Sequence, residues 1–545
     1  MRARGPKKVS LAILIIAVWT ILSACSGNNN ANTNAEGSAS QPTSGGKKTV
    51  NIAITYAPGG INPLAPVGLV STYVAGLMFP PLMEIDSDMT YKPMLADSIE
   101  TTDNVTFTVK LNANAKWTDG TPVTADDVVF TLKLISNPAI ASNLAYLFAG
   151  LEGLDNVGFL AEGQSEISGV VKVDDHTLTM KTKVPTTLNI FKDTIGRNLM
   201  TLPQAALKDI APEDLDNSDF MQKPTVTSGP YKLVDIDRDH YATMEANKDY
   251  YRGAPKIERL NFKVMQGTAI AAQLQSGEID MNIPSAGIIP IEDYKKVQGL
   301  GNVTTMAVTP LATPYMYINE KVVPDAKQRQ AISYAMNREL IVEKLLKGAG
   351  EVVDGYFNST SPYLNENIKP VGYDPEKAKS LLQQSGWDSG KQLTLSVLSG
   401  DATLEQAARI IAEDLNAIGV KVNIQMLDLG TLLDKLLRME YDLGVLTVSL
   451  APINPLPDIA YFLNEGNPNG YKNAEAEKLI ASIGAEVDEA KIKESYGKLQ
   501  EIIARDVPMP SIYATKALGA VNNRVTGATP KDFGMFINVY EWDIK

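Results

Sequence analysis

The chain has 545 residues, of which 44% are hydrophobic and 21% are charged, and its formal net charge is −13 at neutral pH. This length and composition suffice to bury a large core over two or three lobes, while the acidic balance argues against nucleic acid and anionic membrane surfaces as partners of the folded body. The chain contains one cysteine, which excludes an internal disulfide and a thiolate metal site.

Residues 1–24 have the pattern of a lipoprotein signal peptide. Four basic residues within the first eight precede an apolar segment at 11–22, which is too short to cross a bilayer that requires about 20 residues. Two small residues, Ser23 and Ala24, then precede Cys25. This order predicts cleavage in front of the cysteine rather than a membrane-spanning anchor.

Cys25 is predicted to be lipidated, because a diacylglyceryl thioether is built on a thiol and two or more acyl chains give stable membrane attachment. The alternative is a buried core cysteine behind an ordinary signal peptide, and it is disfavoured because this is the only cysteine of the chain. Residues 25–48 are rich in Asn, Ser and Gly, and we expect them to form a flexible tether. The predicted location is therefore the extracytoplasmic face of the cell membrane.

The first part of the folded body is predicted to consist largely of antiparallel strands. Residues 49–56 favour a buried strand, and 97–111 and 169–183 each predict two strands joined by a tight turn. A longer antiparallel pair is predicted within 228–247, with a third strand at 258–265.

A helix is predicted to begin after Thr124, which is a favourable capping residue. Asp126 and Asp127 occupy its first turn, where the helix dipole favours negative charge. We therefore interpret this pair of aspartates as structural rather than catalytic.

The second part of the body is predicted to be of the α/β class. Helical patterns cover 325–347 and 474–505, and Asp374 opens a further helix with a proline at its first position. Residues 393–427 read as strand, helix and strand, a βαβ unit that implies a parallel sheet. The predicted fold class is thus α/β, with one α/β lobe and one largely antiparallel lobe.

Sequence motifs for catalysis and for cofactor binding are absent. The chain has no nucleophile elbow, no Walker loop, no dinucleotide-binding glycine motif and no metalloprotease motif. The two histidines, His176 and His240, are predicted to be separated surface residues, which argues against a shared metal or a nucleophile and base pair. With 63 acidic residues, the sequence leaves open a pair of carboxylates at the spacing that glycosidases use, but no pattern singles out such a pair.

Three loops enriched in aromatic and small residues are candidate ligand contacts. They are residues 59–73, 312–319 and 449–458, each predicted near the end of a strand, where open α/β sheets bind their ligands. For Tyr315 and Tyr317 the alternative interpretation is that both are core strand residues.

Several blocks of the sequence, in this order along the chain, match the pattern of one protein family. These blocks are residues 94–134, 171–180, 228–264, 274–281, 317–345, 373–387 and 411–425. Over nearly all of 49–545 the chain thus resembles the extracellular solute-binding proteins of peptide and nickel ABC importers, family 5, and most of all the oligopeptide-binding type.

The resemblance implies a bilobal fold of the type II periplasmic-binding-protein kind with an extra mixed α+β domain. Ligand is expected between domains I and III, with domain II packed on the side. The implied boundaries are 49–82, 201–265 and 508–545 for domain I, 83–200 for domain II and 266–507 for domain III. Crossings near 265–267 and 506–508 would form the hinge.

The resemblance also implies which segments contact the ligand, since peptide-binding relatives pair the backbone of an extended peptide with their own strands. The matching positions here are Gly68, Leu69, Val70, Tyr315, Tyr317, Val448, Ser449, Leu450, Ala451, Asn454 and Asp458.

One part of this site departs from the family pattern. Relatives usually carry Gly-Trp followed closely by an aspartate that binds the α-ammonium of the peptide. Residues 448–454 contain neither tryptophan nor acid, and the next acid is Asp458. Either Asp458 acts from a shifted loop or the ligand lacks a free amine at that point.

The function implied is that of a lipid-anchored receptor that captures a peptide-like solute and delivers it to an ABC permease and its ATPase. It is not expected to be an enzyme, to need a cofactor or a metal, or to form oligomers. The alternatives are a receptor for a non-peptide solute such as a metal chelate, an exported hydrolase, and a sensory lipoprotein.

Overall fold

The computed structural model describes residues 47–308 and 312–545. The predicted signal peptide 1–24, Cys25 and all but the last two residues of the predicted tether 25–48 lie outside the described residues. In chain order the strands are β1 (Thr49–Ile54), β2 (Met83–Ile85), β3 (Tyr91–Pro93), β4 (Ala96–Thr101), β5 (Thr106–Leu111), β6 (Val170–Asp174), β7 (Thr177–Lys181), β8 (Tyr231–Asp237), β9 (Tyr241–Ala246), β10 (Arg259–Val264), β11 (Met281–Asn282), β12 (Val303–Val308), β13 (Ala312–Ile318), β14 (Gly350–Glu351), β15 (Gln392–Leu398), β16 (Lys421–Leu427), β17 (Leu443–Ser449), β18 (Ala514–Thr515), β19 (Ala517–Asn522), β20 (Val525–Thr526) and β21 (Asp543–Ile544).

The α-helices are interspersed among these strands and become longer in the second half of the chain. In chain order they are α1 (Leu69–Met78), α2 (Ala125–Ile135), α3 (Ala145–Phe148), α4 (Leu188–Phe191), α5 (Gln204–Leu207), α6 (Asp219–Gln222), α7 (Gly267–Ser276), α8 (Tyr294–Gln298), α9 (Ala326–Ala335), α10 (Arg338–Leu340), α11 (Pro375–Gln384), α12 (Ala402–Ala417), α13 (Leu429–Leu437), α14 (Leu456–Leu463), α15 (Ala474–Ala485) and α16 (Glu489–Asp506).

A seven-stranded sheet forms the centre of the first lobe, in the order β12-β19-β11-β1-β10-β9-β8. The strand predicted at 49–56 is confirmed as β1, which pairs in parallel with β10 and β11 while the other neighbours are antiparallel. Val50 and Ile52 pack into the core on one face of the sheet, and Ala53 packs on the other face. Burial on both faces explains why this segment is so rich in apolar residues.

A separate antiparallel sheet, β4-β5-β7-β6, packs beside the first lobe and contains both hairpins predicted from the sequence. Helix α2 begins after Thr124 as predicted, with a capping box formed by Thr124 and Asp127. The buried Asp127 carboxylate accepts hydrogen bonds from the backbone N–H groups of Thr124 and Gln204, both at 2.9 Å. The structural interpretation of this aspartate is therefore confirmed.

The second lobe is built on the four-stranded sheet β13-β17-β15-β16. The βαβ unit predicted at 393–427 is confirmed: β15 and β16 run parallel and are connected through α12. One face of this sheet contacts α9 and α12 in an aliphatic core, and the other face contacts α14 and α16 in a core rich in aromatic residues.

Two helices predicted as continuous are interrupted. The pattern at 325–347 divides at Met336, because α9 ends there and the Asn337 side chain accepts a hydrogen bond from the Leu340 N–H at the start of α10. The pattern at 474–505 divides into α15 and α16, since Asp488 caps the second helix. Short polar side chains that cap a new helix end the preceding one, and hydrophobic periodicity does not reveal this.

The segment 267–308 pairs with the first lobe. Its strand β11 joins β1, and its strand β12 joins β19. The predicted boundaries placed this segment in domain III, whereas the strand pairing connects it to domain I. The return crossing predicted at 506–508 contains Val507, whose backbone is left-handed with φ 46°. The full division into domains stays a prediction.

Arg338 is a fully buried charge at the centre of the second lobe. Its guanidinium pairs with Asp354 and also donates to the backbone carbonyls of Val353, at 3.1 Å, and Val371. These bonds connect α10 to the loop segments around 353–354 and 371.

We expect Arg338→Met to lower the free energy of unfolding of the second lobe by about 3 kcal/mol, because the Asp354 carboxylate, whose side chain is only 11% exposed, would lose its cationic partner. Urea titration of the purified protein measures the change. The matched control is Arg438→Met, which removes an exposed ion pair with Asp434 and should cost less than about 1 kcal/mol. Equal effects of the two substitutions would contradict a structural role for the buried pair.

Among the described residues, none of the helices combines the length and the apolar character that crossing a bilayer requires.

Candidate functional site

A cavity of about 990 Å³ lies between the two lobes. Both lobes line it, so a bound molecule would contact the seven-stranded side and the βαβ side at once. The first-lobe wall is made by α1 and by parts of 197–200, 284–294 and 532–537, and the second-lobe wall by parts of 312–314, 398–404, 428–429, 446–449 and 513–515.

Helix α1 has apolar residues on two faces. One face packs into the core of the first lobe, and the other lines the cavity. Leu69, Tyr73 and Gly76 recur at helical spacing and line the cavity, while Val70 and Val74 point into the core of the first lobe. A surface helix would have polar residues on the outer face. This helix instead contributes a largely apolar wall to the cavity, with Thr72 as a polar member.

The second-lobe wall is formed at the carboxyl ends of parallel strands. Residues 399–401 follow β15, and Asp428 follows β16. In open α/β sheets the ligand lies outside these strand ends, because the chain leaves the sheet there and opens a crevice. The βαβ unit thus places its two loops against the cavity.

Strand β13 lines the cavity with residues other than the predicted tyrosines. Ala312 and Pro314 line it together with their cross-strand partners Ser449 and Thr447. Tyr315 and Tyr317 are 2% and 3% exposed, and they pack in the aromatic core of the second lobe. Met316, on the same face of β13 as Ala312 and Pro314, is fully buried, so the cavity reaches only the first residues of the strand.

The other predicted contacts also divide between the cavity and its surroundings. Leu69 and Ser449 line the main cavity. Tyr315, Leu450 and Ala451 line only a small adjoining pocket of about 20 Å³. The remaining predicted residues, which line neither cavity, are Gly68, Val70, Tyr317, Val448, Asn454 and Asp458. The ligand contacts inferred from the resemblance stay a prediction.

Asp458 has a structural contact in the described conformation. Its carboxylate accepts a hydrogen bond from the backbone N–H of Ala451 at 3.0 Å, in the first turn of α14. Burial raises the pKa of this carboxyl group, and that hydrogen bond opposes the rise. Asp458 therefore holds the 449–458 loop in place and does not line the main cavity.

The charged side chains of the cavity are mostly acidic. Among the described lining residues, the acids are Glu84, Asp401, Asp428 and Asp532, and the single base is Arg197. Burial raises the pKa of Glu84 and of Asp532, because their charged forms lose contact with water. Hydrogen bonds from Thr431 instead lower the pKa of the exposed Asp428, which is therefore ionised at neutral pH.

Arg197 is a functional candidate that the sequence interpretation missed. It follows a π-helical turn, Lys192–Gly196, and its Nη1 lies 3.2 Å from Asp193 Oδ1, which also accepts the Tyr91 hydroxyl at 2.9 Å. This arrangement holds the guanidinium against the cavity wall. Single π-helical turns are frequent at functional sites, but periodicity in the sequence does not distinguish them from α-helix.

The two lobes also touch outside the cavity. The Asn189 amide in α4 donates to the Glu489 carboxylate at the start of α16, at 3.1 Å. This bond joins residues 300 positions apart on opposite lobes.

Comparison with known proteins places this architecture in a defined group. The model of "Bacterial extracellular solute-binding proteins, family 5 Middle" matches residues 90–470. The oligopeptide-binding protein AppA of Bacillus subtilis is 29% identical over 542 residues, covering 94% of each chain. The nickel-binding periplasmic protein of Escherichia coli is 26% identical over 370 residues, 65% of this chain and 66% of that protein.

Solved structures agree with these sequence relationships. The ABC transporter substrate-binding protein CtaP of Listeria monocytogenes superposes with a TM-score of 0.77 at 25% identity, covering 91% of this chain and 99% of that one. The structure of AppA in complex with a nonapeptide gives a TM-score of 0.67 at 26% identity, with coverage of 91% and 99%. The predicted bilobal binding-protein fold is confirmed.

Proposed function

The chain belongs to the bacterial extracellular solute-binding proteins of family 5, and from this premise we propose that it captures peptide-like solutes between its two lobes for an ABC importer. Members of this family bind solutes and are not enzymes, as the sequence predicted. The relative named as an oligopeptide-binding protein, which aligns over almost the whole chain, supports a peptide as the cargo.

The observation that carries the proposal is the large cavity lined by both lobes. A ligand that contacts both walls does so fully only when the lobes approach each other. It therefore stabilises the closed conformation by its differential affinity for that state. The permease would then recognise the closed receptor, with no covalent chemistry and no cofactor.

The alternative cargo is a metal chelate, since a nickel-binding protein is also among the relatives. Within the described residues, no group of three or more His, Cys, Asp or Glu side chains could hold a bare metal ion. An organic chelate could still place a carboxylate at Arg197. The metal chelate is therefore the second candidate, and one side chain, Arg197, supports it.

Isothermal titration calorimetry separates the two candidates. We expect saturable heat with a pool of short peptides and none with nickel ions or with a nickel–histidine complex. Saturable binding of the nickel–histidine complex, together with no heat of binding for any peptide, would replace the peptide proposal by the chelate proposal.

We further propose that the mature receptor is a monomer held on the outer face of the cell membrane through lipids on Cys25. The support is the signal-peptide pattern before this cysteine, which lies outside the described residues. A lipid anchor would keep the receptor close to the permease while the tether lets the folded body move.

A further inference from the structure

A long loop of the second lobe is closed on itself at its base. Residues 354–371 form neither helix nor strand, and we call them the pinned loop. The Val371 N–H donates to the Asp354 carboxylate, and the buried Arg338 guanidinium donates to the carbonyls of Val353 and Val371. Ordered loops of this length without secondary structure are uncommon in compact domains and are usually functional.

The pinned loop packs against α16 through aromatic rings. The ring centroid of Tyr363 lies 4.6 Å from that of Tyr496, and the ring centroid of Phe357 lies 5.5 Å from it. The Gln500 side-chain amide also donates to the Tyr363 carbonyl at 2.8 Å. The pinned loop and the first part of α16 thus form one continuous surface of the second lobe.

A polar row on the first lobe meets this surface. Asn189, Asp193 and Arg197 are spaced four residues apart along α4 and the π-helical turn that follows it, a spacing that favours one face of a helix. Asn189 donates to Glu489 in α16 at 3.1 Å. Burial raises the pKa of Tyr363, and the charges of Glu489 and Asp193 raise it further. One carboxylate from each lobe therefore lies near the neutral Tyr363 hydroxyl.

The two sides of this junction belong to different hydrophobic cores. Phe191 and Ile195, from the segment that carries the polar row, pack in the same core as Ile52 of β1. Tyr363 packs instead in the aromatic core of the second lobe. Because each lobe has its own core, the lobes can separate without exposing either one. Separation would then break the contacts of the junction while both lobes stay folded.

We propose that the junction between the polar row and the pinned loop is a latch that stabilises the closed conformation whether or not a ligand is bound. Asn189, Tyr363 and Glu489 lie outside the lining of the cavity. The latch therefore changes the affinity for every ligand by the same factor, and selectivity stays with the cavity. The inference concerns how the lobes close and does not depend on which solute is bound.

A charge-reversal cycle tests the latch. Asn189→Asp places a second carboxylate against Glu489, and adding Glu489→Lys restores attraction. Tyr363→Phe removes the hydroxyl and keeps the ring. The control is Glu494→Lys, because Glu494 lies on the same helix and pairs with Lys498 of that helix at 2.6 Å. Each purified protein is measured by small-angle X-ray scattering without ligand and by calorimetry with an apolar and a polar tripeptide.

We expect Asn189→Asp to enlarge the radius of gyration of the ligand-free protein. It should also weaken binding of both tripeptides by the same factor, about two- to tenfold, the range for one lost hydrogen bond. The double variant with Glu489→Lys should recover both values. Tyr363→Phe should act in the same direction as Asn189→Asp, and Glu494→Lys should change neither quantity.

Unchanged scattering together with unchanged affinity in Asn189→Asp would overturn the latch, and so would a loss that the double variant does not recover. A loss confined to one of the two tripeptides would also overturn it, because that result indicates a ligand contact. If neither tripeptide binds the unmodified protein, the peptide proposal fails, and the scattering of the ligand-free variants still decides on the latch, with unchanged scattering overturning it.

Discussion

Gly76→Trp is expected to abolish saturable peptide binding while the protein stays folded. Gly76 lines the cavity from α1, and the nearest atom that an added Cβ would meet is Met200 Cε at 3.9 Å. The indole would therefore extend into the space that the ligand needs, and closure over a ligand would force a steric clash. Calorimetry with the short-peptide pool measures the loss.

Gly76→Ala is the matched control for this substitution. A methyl group fits in ordinary van der Waals contact, and replacing glycine inside a helix should raise stability by up to about 1 kcal/mol. We expect the alanine variant to bind peptide nearly as well as the unmodified protein. Retained binding in the tryptophan variant would mean that the ligand lies outside this cavity.

Cys25→Ser is expected to release the protein from the membrane completely. A serine hydroxyl does not accept the diacylglyceryl thioether, and without acyl chains the acidic body has no affinity for an anionic bilayer. Fractionation of a host that processes lipoproteins, with the mass of the mature N-terminus, checks this result. Ser26→Ala, one residue further along, should stay in the membrane fraction, and membrane retention of Cys25→Ser would contradict lipid anchoring.

The elements that the sequence predicted well are those with strong local signals. The βαβ unit at 393–427 combines two apolar strands with a helix of clear periodicity, and local patterns suffice to define all three. The two hairpins of the antiparallel sheet have short polar turns that define them in the same way. Here local preference and the global fold agree, which is the condition under which patterns are informative.

The candidate site was less predictable because it depends on register and on distant segments. Ala312 and Pro314 line the cavity, whereas Met316 on the same face is buried, and a two-residue period does not show how far along the strand the cavity reaches. Arg197 and Asp401 are 204 positions apart, and only the packing of the lobes brings them to one cavity. No local pattern contains such information.

A hydrogen bond within the 449–458 loop explains why the observed contact of Asp458 differs from the role considered for it from the sequence. The sequence interpretation considered it as the amine ligand because it is the first acid after 448–454, yet its carboxylate binds the Ala451 N–H. The acids that line the cavity on this lobe instead cap α12 and α13. An aspartate that caps a helix has the same sequence pattern whether or not the side of its carboxylate that points away from the helix faces a ligand.

Hydrogen–deuterium exchange with and without an apolar tripeptide tests most directly whether a peptide is held between the two lobes. We predict that the peptide slows exchange at α1 in the first lobe and at 398–404 and 446–449 in the second, both at once and to a saturating extent. Protection confined to one lobe, or protection on surfaces away from the cavity, would contradict this account.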